Sequence, residues 1–207
     1  MTRIFAIMAL VAAALLVGAT YFLTIADKDG DQFAECRASQ VAGGAAQIGG
    51  PFTLVSETGE TVTDEQVIDR PTLIYFGYTF CPDVCSIDAA RNAVAVDILT
   101  EQGVAVKPIF ISIDPERDTP EVMADYTEIL HPDMLGLTGS LEQVKAASQA
   151  YRTFYQRRDT GDDEFYLMDH STFSYLTLPE HGFVEFFRRD ATPEAMADRI
   201  ACFAEAA

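Results

Sequence analysis

Residues 71–85 read PTLIYFGYTFCPDVC, and this stretch decides the fold of the chain. Its first part is an apolar and aromatic run that begins after Pro71, which predicts a buried central strand. Cys81 and Cys85 follow directly, and the residues from Ser86 to Gln102 then carry apolar side chains at helical spacing. Gly103 can end that helix. The chain therefore has a strand, a pair of cysteines and a helix in close succession.

Strands and helices alternate on both sides of this stretch. A hairpin is predicted before it, with a turn at Thr58-Gly59, and a second buried strand, VAVKPIFISID, after it. Further on, the sequence predicts a helix from Thr119 to Leu130, a short strand over 135–138, a helix over 140–155, a hairpin over 171–187 and a last helix that begins at Thr192. This order indicates an α/β fold of thioredoxin-like architecture, a mixed sheet with helices on both faces.

The N-terminal segment has a different composition. No charged residue lies between Ile4 and Ile25, and these residues would form a helix of about 33 Å, against about 30 Å for a bilayer core. We interpret residues 1–25 as one N-terminal transmembrane helix, an uncleaved membrane anchor; a cleaved signal peptide and a buried core helix are the alternatives. Residues 26–47, rich in Asp, Gly and Ala, read as a juxtamembrane tether. Residues 48–207 form the predicted folded domain.

The segment before the apolar run is very short, so we expect the N-terminus to stay inside and the domain to lie outside. The expected location is the inner (cytoplasmic) membrane, as a single-pass protein with its domain facing the periplasm; a mitochondrial inner membrane is the second choice. The chain is acidic, with a formal net charge of −18. This charge argues against a nucleic-acid partner and permits attraction to a cation or a basic protein, although solubility alone also explains it.

The spacing of Cys81 and Cys85 suits two kinds of chemistry. On a helix, residues four apart share one face with Cα atoms about 6.2 Å apart, within the range of a disulfide and near its long end. Such a pair can act as a redox pair that interconverts between dithiol and disulfide. Two thiolates at this spacing can also bind one soft metal ion, and a helix N-terminus favours the thiolate form.

A third metal ligand has to come from elsewhere in the chain. His131 precedes Pro132 at a helix end, where capping or a surface position explains it, and His181 lies in a predicted turn. His170 stands before an apolar strand, so it is either a ligand or a structural histidine. Two thiolates and one imidazole suit copper, as Cu(I) with three ligands or Cu(II) with an added oxygen ligand. Zinc is the chemical competitor.

Three separate segments resemble the Sco/SenC family, namely YFGYTFCPDVC, SIDPERDTPEVMADY and MDHSTFSYL. They match in order, and the resemblance covers about residues 48–203. It implies a thioredoxin-like copper protein that helps to assemble the dinuclear copper centre of cytochrome c oxidase subunit II. The metal ligands of the family fall on Cys81, Cys85 and His170. One departure is Ser86, where many relatives have proline.

The resemblance supports two functions. The first is a copper metallochaperone, with cytochrome c oxidase subunit II or a related copper protein as its partner and a second copper chaperone as a further candidate. The alternative is a thiol–disulfide oxidoreductase that reduces the copper-ligand cysteines of that subunit through Cys81 and Cys85. A peroxidase and a purely structural membrane protein explain the sequence less well. Whether the protein is an enzyme therefore depends on which task the cysteine pair performs.

Two further cysteines lie near the two ends of the folded part. Cys202 falls off the apolar face that Met196, Ile200 and Phe203 form on the last helix, and it could meet the tether at Cys36. We therefore predict a structural disulfide between Cys36 and Cys202, with two free thiols as the alternative. The segment Asp114 to Glu121, DPERDTPE, reads chiefly as a strand end followed by a helix cap.

Overall fold

The computed structural model describes residues 2–26, 32–39, 47–158, 161 and 165–207. The chain forms two compact units, Met1–Glu35 and Cys36–Ala207. The first contains helix α1 (Thr2–Ala26). Among the described residues, no helix is both long enough and apolar enough to cross a membrane. The transmembrane helix predicted for residues 1–25 is therefore without support from the structure.

The tether predicted over residues 26–47 falls largely outside the described residues, which omit 27–31 and 40–46. Residues 36–39, which the sequence analysis assigned to the tether, belong to the second unit. The domain boundary at residue 48 stays a prediction from the sequence.

The second unit alternates strands and helices in its first half. Its elements are β1 (Thr53–Ser56), β2 (Thr61–Thr63), α2 (Asp64–Val67), β3 (Thr72–Gly77), α3 (Val84–Glu101), β4 (Lys107–Ser112), α4 (Pro120–Leu130), β5 (Leu135–Thr138), α5 (Leu141–Ala150), β6 (Tyr155–Arg157), β7 (Met168–His170), β8 (Ser174–Leu178), β9 (Gly182–Phe187) and α6 (Pro193–Ala206). Each strand and helix predicted from the sequence is present, with bounds that differ by a few residues.

The described strands form one seven-stranded sheet and one small two-stranded sheet. In the large sheet the order is β2-β1-β5-β4-β3-β8-β9. Strands β3, β4 and β5 run parallel, while β1 and β8 pair antiparallel with β5 and β3. The hairpins β1–β2 and β8–β9 add the antiparallel edges. The sheet is therefore mixed, as predicted.

Helices cover both faces of this sheet, as predicted. Strand β3 is buried along its whole length. The Tyr75 hydroxyl donates a hydrogen bond to Asp88 of α3 at 3.1 Å. The next residue, Phe76, packs on Tyr151 just after α5, with ring centroids 5.5 Å apart. Because successive side chains of a strand point to opposite faces, α3 and the end of α5 lie on opposite sides of β3.

Helix α5 is shorter than the helix predicted over residues 140–155. It begins with a capping box at Ser140 and Gln143 and ends at Ala150. Arg152 has a φ of 50°, a left-handed conformation that breaks the helix without a glycine. The N–H group of Thr153 then donates to the carbonyl oxygen of Ser148, which closes the end of α5. This early stop frees Tyr155 to begin strand β6.

Strands β6 and β7 form an antiparallel pair that the sequence analysis did not predict. Tyr155 pairs with His170, and Arg157 pairs with Met168. The pair forms a two-stranded sheet of its own, separate from the large one. It carries His170 at its end, and it is therefore the element that places the histidine predicted as a metal ligand.

Candidate metal centre

The two cysteines lie where strand β3 gives way to helix α3. Helix α3 begins at Val84, so Cys85 is its second residue, whereas Cys81 lies in the loop before it. The expectation that both cysteines lie on one face of a helix is therefore wrong, because only Cys85 is in the helix. The Cys81 sulfur nevertheless accepts a hydrogen bond from the backbone N–H of Cys85 at 3.4 Å. The side chain of the N-cap residue Asp83 makes no capping hydrogen bond. The Cys81 sulfur therefore satisfies one of the first N–H groups of α3 in its place.

His170 approaches the cysteines from strand β7. Its Nε2 atom lies 3.3 Å from the Cys85 sulfur. Its Nδ1 atom lies 2.8 Å from the backbone carbonyl oxygen of Ser171. A carbonyl oxygen can only accept a hydrogen bond, so Nδ1 must carry the proton. Nε2, which faces the sulfurs, is therefore the nitrogen that can bind a metal ion when it is unprotonated.

Two tyrosine rings hold the imidazole from the side. The rings of Tyr75 and Tyr78 lie edge-on to His170, with centroids 6.3 Å and 6.0 Å away. The Tyr78 hydroxyl also accepts a hydrogen bond from the N–H of Met168 at 3.2 Å. Since Tyr78 follows β3 and Met168 begins β7, this bond ties the two segments that carry the cysteines and the histidine.

The three side chains form one compact cluster that could hold a metal ion. The sulfur atoms of Cys81 and Cys85 and a ring nitrogen of His170 all lie within 4.8 Å of one another. Cys85 is fully buried, while Cys81 is half-buried and lines an open cavity of about 210 Å³. Neither cysteine is part of a disulfide. A ligand atom on a partner molecule can therefore approach from the side of Cys81.

The hydrogen bonds make the two thiols unequal. The pKa of Cys81 is lowered to about 3, chiefly because the Cys85 thiol hydrogen-bonds to its sulfur; the His170 ring and the N–H groups of Asp83 and Cys85 act in the same direction, against burial. The pKa of Cys85 is raised, because its thiol donates to Cys81 and because it is buried. The pair therefore holds one thiolate and one thiol. Two soft sulfurs and an imidazole nitrogen are the donor set that copper prefers.

The segment DPERDTPE carries more than the helix cap that the sequence analysis assigned to it. Thr119 caps α4 as predicted, since its side chain accepts from the N–H of Val122. In addition, Asp118 is fully buried and accepts hydrogen bonds from Thr79 and Ser112, which follow or end the two central strands. Arg117 is paired with Asp114 at 2.5 Å and contacts Tyr166. The i, i+3 spacing of Asp114 and Arg117 is a sequence signal for their ion pair, but nothing in it points to Tyr166.

The other histidines lie away from the cluster. His131 is the C-cap residue of α4, where its ring accepts from the N–H of Asp133 and lies 3.3 Å from Asp97. It is buried, so it has the predicted capping position but not a surface position. His181 lies in the turn between β8 and β9, as predicted.

The remaining cysteines, Cys36 and Cys202, form a disulfide. The bridge attaches the segment 36–39 to helix α6. Next to it, Glu185 of β9 is fully buried and accepts hydrogen bonds from the N–H groups of Ala38 and Ser39 and from the Ser39 hydroxyl. The role of Glu185 could not be predicted from the sequence, because a single acidic residue within a strand gives no signal for a distant partner.

Comparison with known proteins agrees with this geometry. The family model described as SCO1/SenC matches residues 40–205. Protein SenC of Rhodobacter capsulatus is 51% identical over 201 residues, which cover 97% of this chain and 90% of the relative. The Arabidopsis thaliana protein "SCO1 homolog 1, mitochondrial" is 40% identical over 158 residues, which cover 76% of this chain and 47% of that longer protein.

A solved structure is similar as well. The crystal structure of Arabidopsis thaliana ScoI with copper bound superposes with a TM-score of 0.72 at 39% sequence identity, over 76% of this chain and 99% of that one. This similarity confirms the thioredoxin-like fold and the resemblance noted from the three sequence segments. The chain therefore belongs to the SCO1/SenC family.

Proposed function

We propose that this protein is a copper metallochaperone that binds copper through Cys81, Cys85 and His170 and delivers it to the dinuclear copper centre of cytochrome c oxidase subunit II or a related copper protein. The observation that carries the proposal is the cluster of three ligand atoms within 4.8 Å of one another. The copper bound in the similar Arabidopsis thaliana structure supports the same ion here.

The donor set favours copper over structural zinc. Among the described residues the cluster holds three potential ligands, two cysteines and a histidine. Structural zinc sites usually have four protein ligands, whereas Cu(I) accepts three and Cu(II) can add an oxygen ligand. In a chaperone the copper ion is cargo, so an open position beside the half-buried Cys81 suits the approach of a receiving ligand.

Copper titration of the full chain, reduced and handled without oxygen, tests the site. We expect one copper ion per chain, and we expect Cys81→Ser, Cys85→Ser and His170→Ala to weaken binding strongly, because none of the new side chains replaces a soft sulfur or an imidazole nitrogen. His131→Ala is the matched control for the histidine, and the double variant Cys36→Ser/Cys202→Ser is the control for the cysteines. Wild-type copper binding by Cys85→Ser or His170→Ala would contradict the proposed ligand set.

A second function, thiol–disulfide exchange, is favoured by one observation. Cys81 is a half-exposed thiolate beside the buried thiol of Cys85, the arrangement of an attacking and a resolving cysteine. In that reaction the Cys81 sulfur would attack a partner disulfide and form a mixed disulfide, and the Cys85 sulfur would then attack Cys81 and release the partner. The partner would gain two electrons, one proton from Cys85 and a second proton from water, and Cys81 and Cys85 would become a disulfide.

His170→Ala separates the two functions, because copper transfer requires the imidazole and thiol exchange does not. The variant is tested for assembly of the oxidase, at low and at high external copper, in cells that lack the native protein. A chaperone variant should fail at low copper and recover in part at high copper. If a variant shown to bind no copper restores assembly fully at low copper, the protein is an oxidoreductase and not a chaperone.

We also infer that the folded unit works in an oxidising compartment, such as the periplasm. The bridge between Cys36 and Cys202 supports this location, because disulfides persist outside the reducing cytosol. Attachment to the inner membrane through residues 4–25 stays a sequence-based prediction. Alkaline extraction of membranes from cells that express the full chain tests it.

A further inference from the structure

Arg117 contacts both segments that bring the cluster together. Its Nε atom donates to Asp114 at 2.5 Å, and its Nη1 atom donates to the backbone carbonyl oxygen of Tyr166 at 3.1 Å. The guanidinium lies 3.6 Å from the ring centroid of Tyr166 and 4.8 Å from that of Phe80. Phe80 directly precedes Cys81, and Tyr166 lies four residues before His170. One side chain therefore joins the cysteine loop to the segment that leads to the histidine.

Asp114 completes this contact from the end of strand β4. It is buried, and its second carboxylate oxygen accepts a hydrogen bond from the Tyr166 hydroxyl at 2.6 Å. Tyr166 is thus held at its hydroxyl, its ring and its carbonyl group by two residues of the DPERDTPE segment. These contacts are mostly shielded from water, since the Arg117 side chain is only 19% exposed. Contacts of this kind are stronger than the same contacts on the surface.

We propose that Arg117 is a positioning residue that holds His170 against the cysteine pair by fixing Tyr166 and Phe80. The inference rests on the proposed function of the same site. Residues 159–160 and 162–164, in the connection between β6 and β7, lie outside the described part of the chain. The anchor at Tyr166 lies two residues before β7 and acts beside the hydrogen bond from the Met168 N–H to Tyr78. Loss of this anchor would leave the approach of the imidazole less defined.

A lysine should not replace Arg117. The planar guanidinium donates in two directions and stacks on Tyr166 at once, whereas an ammonium is a point charge that cannot stack. Within the described residues, the Nη2 atom of Arg117 is buried without a hydrogen-bond partner, and the aromatic rings surround the guanidinium instead. The shape of the group matters here as well as its charge.

Arg158 provides a matched control. It also pairs with a neighbour of His170, since it binds Asp169 on strand β7 at 2.5 Å. Its side chain is 57% exposed, however, and exposed ion pairs contribute little. Arg158→Gln therefore removes an arginine that contacts strand β7 but leaves the contacts of Arg117 with Tyr166 in place.

The test uses the full chain and two measurements. In the first, copper affinity is measured for Arg117→Gln, Arg117→Lys and Arg158→Gln, alone and combined with His170→Ala. Both Arg117 variants should weaken copper binding by about tenfold or more, as loss of a residue that orients a metal ligand does, and Arg158→Gln by no more than about threefold. If Arg117 acts through His170, then His170→Ala should cost much less affinity in the Arg117 variants than in the wild type.

The second measurement is amide hydrogen exchange of the metal-free protein, which does not depend on copper. Exchange of the segment 165–171 should become faster in both Arg117 variants, while exchange within α3 and α6 stays as in the wild type. Additive copper effects, or faster exchange throughout the folded unit, would overturn the proposal. If the wild type binds no copper, the proposed function fails. The exchange measurement alone then tests whether Arg117 holds the segment 165–171 in place. If Arg117→Gln does not fold, Arg117→Lys carries the same test.

Discussion

At the scale of single residues, the main feature is the inequality of two cysteines that look alike in the sequence. Cys81 lies in a loop, receives hydrogen bonds and is half-exposed, whereas Cys85 lies in α3, donates its hydrogen bond and is fully buried. The lowered pKa of Cys81 and the raised pKa of Cys85 favour the thiolate at Cys81 and the thiol at Cys85. A single ionised sulfur is therefore ready for a metal ion or a partner disulfide before either arrives.

This inequality predicts how the reduced, metal-free protein reacts with iodoacetamide. Because the pKa of Cys81 is lowered to about 3, its alkylation rate should be almost constant between pH 5 and pH 8 and should fall only as the pH approaches that value. Cys85, buried and with a raised pKa, should react far more slowly. Mass spectrometry of the digested protein gives the rate at each cysteine.

Variants of Cys85 provide the control for this experiment. Cys85→Ala removes the hydrogen bond that lowers the pKa of Cys81 most, so the midpoint of its alkylation profile should move to higher pH. Cys85→Ser keeps a donor and should give a smaller change. If Cys81 of the unmodified chain instead reacts like an ordinary thiol, with a rate that rises steeply above pH 7, the proposed thiolate is absent.

The residues of the cluster could be named from the sequence, whereas the residues that support it could not. Cys81 and Cys85 stand out by their spacing, but His170 acquired a ligand role only through the family resemblance, since the residues alone left a structural histidine open. Arg117, Tyr166 and Glu185 act through contacts between segments far apart in the chain. A contact of that kind forms only when the chain folds, so no local sequence pattern predicts it.

At the scale of the elements, the central strands and α4 meet at Asp118. Its carboxylate accepts hydrogen bonds from the Thr79 N–H and hydroxyl groups just after β3 and from the Ser112 hydroxyl at the end of β4. Its carbonyl oxygen accepts from the Thr138 hydroxyl at the end of β5. The ends of three parallel strands are thus connected beneath the cysteine loop, and burial raises the pKa of the carboxyl group.

Asp118→Ala should therefore destabilise the protein markedly. The change leaves the buried hydroxyl of Ser112 and the partly buried donors of Thr79 without an acceptor. An unsatisfied buried donor costs about 1–3 kcal/mol, so we expect the free energy of unfolding to fall by about 3 kcal/mol or more. Urea unfolding followed by circular dichroism measures this. Asp125→Ala, at an exposed position of α4, is the control and should change the value by less than about 0.5 kcal/mol. A similar small change for Asp118→Ala would show that water replaces the carboxylate.

The sequence predicted long, regular elements well and short, polar ones poorly. Strand β3 and helix α3 follow from apolar runs and helical spacing, and Thr119, Ser140 and Thr192 lie at helix N-caps, as their types suggest. Strands β6 and β7 have only three residues each, YQR and MDH, which is too short for an alternating pattern to be recognised. The end of α5 was misplaced because a non-glycine residue, Arg152, adopts the left-handed conformation.

At the scale of the whole molecule, one covalent bond joins the two ends of the folded unit. Cys36 and Cys202 are separated by 166 positions along the chain, and their disulfide encloses the strands, the helices and the candidate metal centre. The neighbouring hydrogen bonds from Ala38 and Ser39 to the buried Glu185 fasten the same segment. The folded unit is thereby closed without any contribution from the cysteines of the cluster.

The double variant Cys36→Ser/Cys202→Ser should lower the free energy of unfolding by about 2–5 kcal/mol, because the unfolded chain regains the freedom that so large a loop had lost. Its copper binding should remain that of the wild type. Thermal and urea unfolding of the two proteins, both with Cys81 and Cys85 reduced, provide the comparison. Equal stability would mean that the contacts of Glu185 alone hold the segment, and the variant Glu185→Gln would then be the destabilised one.

The same bridge also determines how the protein carries a mechanical load. If the two ends of the chain are pulled apart, the tension enters the folded unit at Cys36 and passes through the disulfide to Cys202. The sheet, the cysteine loop and the His170 hairpin lie inside the loop that this bond closes, so the covalent path of the load bypasses them. Stretching the chain by its two ends therefore does not pull directly on the segments that carry the metal ligands.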